Sequence, residues 1–298
     1  MLNNKPSATA MLILKSIVFL SLDPQRKYLV PEEVSKISIQ FLETKAFDQR
    51  RFIKILKTKW LYYFIWFVER LLLPGMVLHY VLRKRYIEEV VLNIINKGEA
   101  CQIVILAAGF DSLACRLSKR FPQVNFIEVD HPATQESKKR ILEEIGLLMP
   151  NVAFLAVDFS SEKLEDKLLA MKQFNPQANT LFIAEGITMY LDENQINELL
   201  KFASSQNQFI FTFMERQEDG KIDFKNTHSI VNFWLNWKKE KFRWGISQSE
   251  VPNFLRDRKF LLEEIVAHNK LRSKYLSAFS NNEPLAEGEC ICVAKAIK

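Results

Sequence analysis

Four short apolar runs in the middle of this 298-residue chain each end in acidic residues. The first leads from Ile103 through Ala107 and Gly109 to Asp111, and the second closes on Glu128, Val129 and Asp130. The third closes on Asp158 and Phe159, the fourth on Glu185 and Gly186. Small residues between a strand and a helix let the backbone approach a ligand closely. A carboxylate at the end of the next strand, about twenty residues on, is where nucleoside-binding folds take ribose hydroxyls, since it accepts two hydrogen bonds at once. Glu128 and Asp130 alternate onto one strand face, so either reaches a sugar. The pair Asp158-Phe159 suits an adenine, the acid accepting from the exocyclic amine and the ring packing on the base. Glu185 falls near mid-sheet, facing both such a ligand and a second substrate. Singly, each has a plainer reading: a helix N-cap for Asp111, solvated loop acids for the others. Their succession at four consecutive run ends favours a site. The first loop is not the dinucleotide pattern GxGxxG, because Ala107 and Ser112 stand in place of its first and third glycines.

The elements that must position these residues follow from the pattern of the chain. Up to about Asn96 it reads helical, with Pro31-Glu32-Glu33 opening one helix and a long basic-aromatic helix from Arg50 to Leu73. Beyond it, apolar runs at Cys101–Ala107, Val124–Val129, Val152–Val157, Thr180–Ala184, Gln208–Met214, Phe260–Val266 and Cys290–Ala296 predict seven strands. Helical segments predicted at Pro132–Ile145, Glu162–Gln173 and Glu193–Ser204 separate them. Such alternation predicts an α/β fold: a Rossmann-like, seven-stranded, mostly parallel doubly wound sheet. The expected organisation is a helical lid over residues 1–96 and a core over 97–298, with an aromatic insertion at about 215–245. Ligands of such sheets bind beyond the C-terminal strand ends, where strand order reverses.

The run ends resemble, in order, the motifs of the leucine carboxyl methyltransferase family, which includes tetracenomycin-type polyketide O-methyltransferases. Leu106–Leu117 is similar to the family's GAGLDTRAYRL, Phe126–Pro132 to FEVDxP with Lys138 or Lys139 after it, and Ile183–Leu191 to AEGVLMYL. Ser7-Ala-Thr9-Ala10, Arg83–Glu88 and Ala286–Ala294 resemble motifs near the two ends, so the likeness spans nearly the whole chain. The resemblance implies S-adenosyl-L-methionine as cofactor. It assigns Arg83 to the methionine carboxylate, with Lys15 assisting, and has Gly109 let the backbone near the methionyl part. It assigns Asp130 to the ribose, Asp158 and Phe159 to the adenine, and Glu185 to the amino group. Tyr190 and Met189 then line the acceptor side. The chain departs from the pattern at Ala107, where a Cβ must fit near the cofactor. It departs also at Lys84 and Glu88, which replace Thr and Asp, and at Leu113 and Cys115.

The remaining features bound the function. Hydrophobic residues are 48% and charged residues 26% of the chain, enough for a sizeable core, and the net charge is +6. Three of the four cysteines fall in apolar runs and read as reduced, buried thiols. His79, His131, His228 and His268 have no metal-ligand spacing, so no metal is expected; His228 lies where an acceptor would sit. The basic-aromatic stretch from Arg50 to Arg85 admits a membrane-surface or nucleic-acid reading, but a lid helix with a solvated basic face is favoured. Glu69 and Arg70 argue against a span through lipid, and the expected location is cytoplasmic. The expected reaction is methyl transfer to a carboxylate or hydroxyl of a small molecule or a protein C-terminus. A nicotinamide oxidoreductase and a non-catalytic binding or membrane-surface protein on the same fold are the rivals.

Overall fold

The computed structural model describes residues 6–205, 207–225, 242–276 and 283–297. Five helices precede the sheet: α1 Ala8–Ser21, α2 Glu32–Glu43, α3 Arg50–Leu56, α4 Lys59–Leu72 and α5 Met76–Asn96. The α/β part then runs β1 Gln102–Leu106, α6 Leu113–Arg120, β2 Asn125–Asp130, α7 Pro132–Glu144 and β3 Val152–Ala156. It continues through α8 Leu164–Leu169, β4 Thr180–Ala184, α9 Glu193–Ala203, β5 Gln208–Glu215 and the two-residue β6 Gly245–Ile246. It closes with α10 Val251–Arg256, β7 Phe260–Val266, α11 His268–Tyr275 and β8 Glu289–Ala296.

The strand order is β3-β2-β1-β4-β5-β8-β7, with β6 beside β5. β8 is antiparallel to both β5 and β7, and the other pairs are parallel. The seven expected strands are all present, in a doubly wound sheet whose order reverses between β1 and β4. Both faces of the central strands are buried, which is why they read as continuous apolar runs. Ile103, Ile105 and Ile183 pack with α1–α5, α6 and α7 on one face. Val104, Leu106, Phe182 and Ala184 pack with α8–α10 on the other.

The single helix expected from Arg50 to Leu73 is two helices. Thr58 is extended, and its hydroxyl donates back to the Lys54 carbonyl at 3.3 Å, competing with the helical ladder. The helix expected over Glu162–Gln173 shrinks to α8, because the Glu162 carboxylate is turned back to accept the Asp158 N–H. The Trp60–Leu82 stretch forms two helices, as its charges require, and α4 and α5 meet at 89°. Gly75 makes that corner with φ +79°, and its backbone lies so close to Pro284 that no Cβ fits. Glu69 is buried there and accepts from Val77 N at 3.4 Å, so α4 caps the N-terminus of α5. Burial of the Glu69 carboxyl pushes it up to about 7, against the pull of those backbone N–H groups and Arg70.

Candidate active site

A cleft of about 430 Å³ opens at the carboxyl ends of β1, β2, β3 and β4, over the reversal of strand order. Its lining brings together Ala107, Gly109, Asp111, Asp130, Asp158, Phe159 and Glu185, and adds Arg83 and Lys84 from α5. Thr9, Ala10 and Ile13 of α1 complete the wall. Seven of the ten cofactor residues expected from the sequence are thus sheet-edge residues in one cleft, and Arg83 is the eighth.

The loop after β1 is left-handed at both Ala107 (φ +50°) and Gly109 (φ +52°). At Gly109 a Cβ would meet the Ala10 side chain at 3.0 Å, so glycine lets α1 close onto the loop. Gly109 N donates to Asp130 Oδ2 at 2.6 Å, and His131 N donates to Oδ1 at 2.7 Å. Asp130 is therefore a buried brace of the loop, not a solvated loop acid. Burial raises its carboxyl above the usual range, and the two N–H groups pull the other way without prevailing. Each oxygen accepts one of these bonds and retains capacity for a further donor, and Asp130 lines the cleft.

Behind this loop lies a network of charges that the sequence had scattered over two hundred residues. Arg83 donates from Nε to Glu185 Oε1 at 2.8 Å and from Nη1 to Glu289 Oε2 at 2.6 Å, and is only 3% exposed. Lys84 Nζ bridges Asp111 Oδ2 at 2.7 Å and Glu185 Oε2 at 3.1 Å. Burial works against the Asp111 charge, but Lys84 more than offsets it and holds the carboxyl well below its ordinary value. His79 Nε2 lies 2.7 Å from Glu289 Oε2. Burial likewise opposes the Glu289 charge, and Arg83, His79 and Thr212 together hold that carboxyl at about 2. Arg83 and Lys84 are thus built into the site, whereas Arg85 is half-exposed and reaches Glu89 one turn on. Asp111 Oδ1 also accepts from Leu113 N at 3.0 Å, so its cap-like role and its place in the cleft coexist. Glu88, the other departure, forks with Arg116 on α6, with Nη2–Oε2 at 2.8 Å.

Asp158 lies at the rim, its Oδ1 accepting from Ser160 N at 2.9 Å and Ser160 Oγ at 2.6 Å, which lowers its carboxyl. The neighbouring Phe159 is fixed by Gln195 Nε2 donating to its carbonyl at 2.8 Å. Two expected residues are not brought to the cleft. Glu128 points beneath the sheet into an ion pair with Lys138 Nζ at 2.6 Å, both essentially inaccessible. Lys15 stands about 200° around α1 from the cleft-lining Ile13, over the Phe52 ring at 5.1 Å. His228 lies outside the described residues.

A second cavity of about 340 Å³ adjoins the cleft and shares Thr9, Ile13, Arg83, Gly186 and Tyr190 with it. The rest of its lining is mainly apolar: Leu12, Leu72, Leu73, Met76, Met189, Phe224 and Phe242, with Tyr80 and Glu289. Tyr190 packs against Phe242 with ring centroids 5.6 Å apart. Tyr190 and Met189 thus face this cavity as expected. Sequence reasoning gave no role to His79, which carries no local motif, or to Glu289, which lies in the motif-like stretch Ala286–Ala294, and treated Lys84 only as a departure.

Comparison with known proteins bears on this arrangement. The leucine carboxyl methyltransferase family matches residues 39–204. YktD of Bacillus subtilis (strain 168), described as an S-adenosyl-L-methionine-dependent methyltransferase, is 32% identical over 224 residues, covering 72% of this chain and 71% of that one. Leucine carboxyl methyltransferase 1 of Caenorhabditis elegans is 29% identical over 160 residues, 45% of this chain and 47% of its own. Among solved structures, magnesium protoporphyrin IX methyltransferase of Synechocystis PCC 6803 aligns with 11% identity and a TM-score of 0.46, over 73% of this chain and 85% of that one. The chain belongs to the leucine carboxyl methyltransferase family, and with it to the S-adenosylmethionine-dependent methyltransferases.

Proposed function

We propose that the protein methylates a carboxylate oxygen of an apolar acceptor held in the second cavity. The observation that carries this reading is that cavity, apolar on most sides and joined to the polar cleft at Arg83, Gly186 and Tyr190. The residues lining the cleft fit the cofactor: Asp130 would offer acceptor capacity to the ribose, Phe159 a ring to the base, and Glu185 a carboxylate to the ammonium group. When bound there, S-adenosylmethionine supplies a methyl group already activated on a sulfonium. The protein's own contribution is alignment and exclusion of water. Arg83 gives Nε to Glu185 and Nη1 to Glu289, which leaves donors of its guanidinium for the methionine carboxylate, and it forms part of the wall shared by cleft and cavity.

A carboxylate acceptor is ionised at neutral pH and needs no base, whereas a hydroxyl must lose its proton. Among the described lining residues of the cavity, the one carboxylate, Glu289, is held at about 2 against its burial, chiefly by Arg83, and is too weak a base. A panel of amphiphilic carboxylic acids and phenols, incubated with methyl-labelled cofactor, tests the assignment. A methyl ester releases its label as methanol in mild base, and an ether does not. Labelled products stable to base would overturn the carboxylate reading. S-adenosylhomocysteine should raise the melting temperature by mass action, and stabilisation by NAD alone would count against the assignment of the cleft.

A further inference from the structure

Helix α4 turns its aromatic residues outward. Trp60, Tyr63, Phe64, Phe67 and Leu71 are each more than half exposed. At 100° per residue they fall within an arc of about 100°. The opposite side of the helix holds Tyr62, Trp66 and Glu69, all buried. That orientation is fixed: the Tyr62 hydroxyl and Trp66 Nε1 both donate to the buried Asp23 Oδ2, at 2.6 and 2.9 Å. The stripe therefore cannot roll into the core. Among the described residues five of the eleven exposed large hydrophobics sit on this one helix, which marks a functional patch and not scatter.

Along the chain from Arg50 to Leu73 the exposed charge is of one sign, and an acid from elsewhere, Glu283, reaches α4 at Arg70. Arg50, Arg51, Lys54, Lys57 and Lys59 are exposed on α3 and the start of α4, and the only acid from Arg50 to Leu73 is the buried Glu69. Trp, Phe and Tyr on one face with Lys and Arg flanking it are the composition of a helix lying in a lipid–water interface. At 14 residues α4 is too short to cross a bilayer, so it would lie in the surface plane. Its last turn also supplies Leu72 and Leu73 to the apolar cavity.

We propose that α3 and α4 dock the protein on anionic lipid surfaces, with the α4 stripe seated among the headgroups and the five cations against their negative charge. The favoured expectation of a solvated basic lid gives way here, because the solvated face of α4 is aromatic. Leu71, the last residue of the stripe, directly precedes the cavity-lining Leu72 and Leu73. Docking would therefore bring that wall of the cavity near the lipid and shorten the path of an amphiphilic acceptor from the membrane. That last step rests on the proposed acceptor, whereas docking itself does not.

The test uses the full chain with vesicles of phosphatidylcholine alone or with phosphatidylglycerol added, read by co-sedimentation. Binding is expected only to the anionic vesicles, and quenching by brominated lipid should disappear in Trp60→Phe. Lys54→Glu/Lys57→Glu/Lys59→Glu should weaken partitioning by more than about tenfold, since each cation near the surface is worth about one kcal/mol. Trp60→Ser/Phe64→Ser/Phe67→Ser should weaken it by at least about tenfold; Phe64→Glu alone serves if the triple variant is unstable. The stabilisation by S-adenosylhomocysteine should be the same in all variants, which separates loss of docking from loss of fold or of the active site. The proposal is overturned by equal binding to both vesicle types, or by no binding to either. It is also overturned by tighter binding to a single-stranded oligonucleotide, or by a solution dimer that the aromatic variant dissociates.

Discussion

Replacing Asp130 by asparagine separates the brace of the loop seen in the structure from the proposed ribose contact. In the ligand-free protein the carboxylate accepts from Gly109 N at 2.6 Å and His131 N at 2.7 Å. Asparagine keeps the shape but offers one oxygen, so one N–H must face an amide NH₂. A hydrogen bond to a charged acceptor is worth roughly 1.5–3 kcal/mol. Relief of the buried charge offsets part of that, because burial already raises this carboxyl. The expected net loss is about 2 kcal/mol, which lowers the melting temperature of a chain this size by roughly 4–8 °C. Differential scanning calorimetry without ligand measures it. Calorimetric titration with S-adenosylhomocysteine measures the second role, and a lost contact to the ribose should weaken binding by roughly 10–100-fold. An unchanged melting temperature would refute the brace. Unchanged affinity would refute the ribose contact, and the two refutations are independent.

Three further perturbations follow from the buried charges. The Glu69 carboxyl sits at about 7, above its ordinary 4.5, so its contribution is fully present below that lower value and is lost as pH rises toward 7. Denaturant titrations of wild type and Glu69→Gln should therefore diverge by about 3 kcal/mol across that window, and a pH-independent difference would contradict the assignment. Lys138→Met strands Glu128 without its partner and should cost about 3–5 kcal/mol, while Glu128→Leu/Lys138→Met should cost clearly less; equal losses would show that the pair is not coupled. Arg83→Lys keeps the charge but cannot reach Glu185 and Glu289 together, so S-adenosylhomocysteine binding should fall while Arg85→Lys leaves it unchanged. Equal indifference to both exchanges would make Arg83 an ordinary buried cation.

The sheet was readable because its strands are short apolar runs between turns, a local signal. Thr180–Ala184 and Phe260–Val266 are found at the residues expected, and the four acidic run ends converge because a doubly wound sheet must align its strand termini. What failed was the direction in which individual side chains point, which partners and helix phase decide. Glu128 and Asp130 share a strand face, yet Lys138 draws Glu128 under the sheet. Asp130, as the last residue of β2, turns to the Gly109 and His131 amides. Lys15 was placed by motif alone, and the phase of α1 carries it away from the cleft. Glu289 meets His79 and Arg83 across more than two hundred residues, and the motif-like stretch around it, Ala286–Ala294, does not name those partners.

Ala107 and Lys84, the two departures nearest the cleft, acquire a common physical sense from the structure. A left-handed alanine costs about 1 kcal/mol or more, and persists only where its surroundings over-determine the backbone. Here the loop is held at both ends: Asp130 takes the Gly109 amide on one side, and Lys84 ties Asp111 to Glu185 on the other. A threonine in place of Lys84 would be too short to reach both carboxylates, and those two acids would then face each other with less compensation. The lysine thus neutralises the acids of the sheet edge while fixing the far end of a loop that lacks the usual glycine. A cleft fixed in this way is formed before its ligand arrives, so binding loses little to the ordering of the loop. The cost of the alanine is carried by the folded protein.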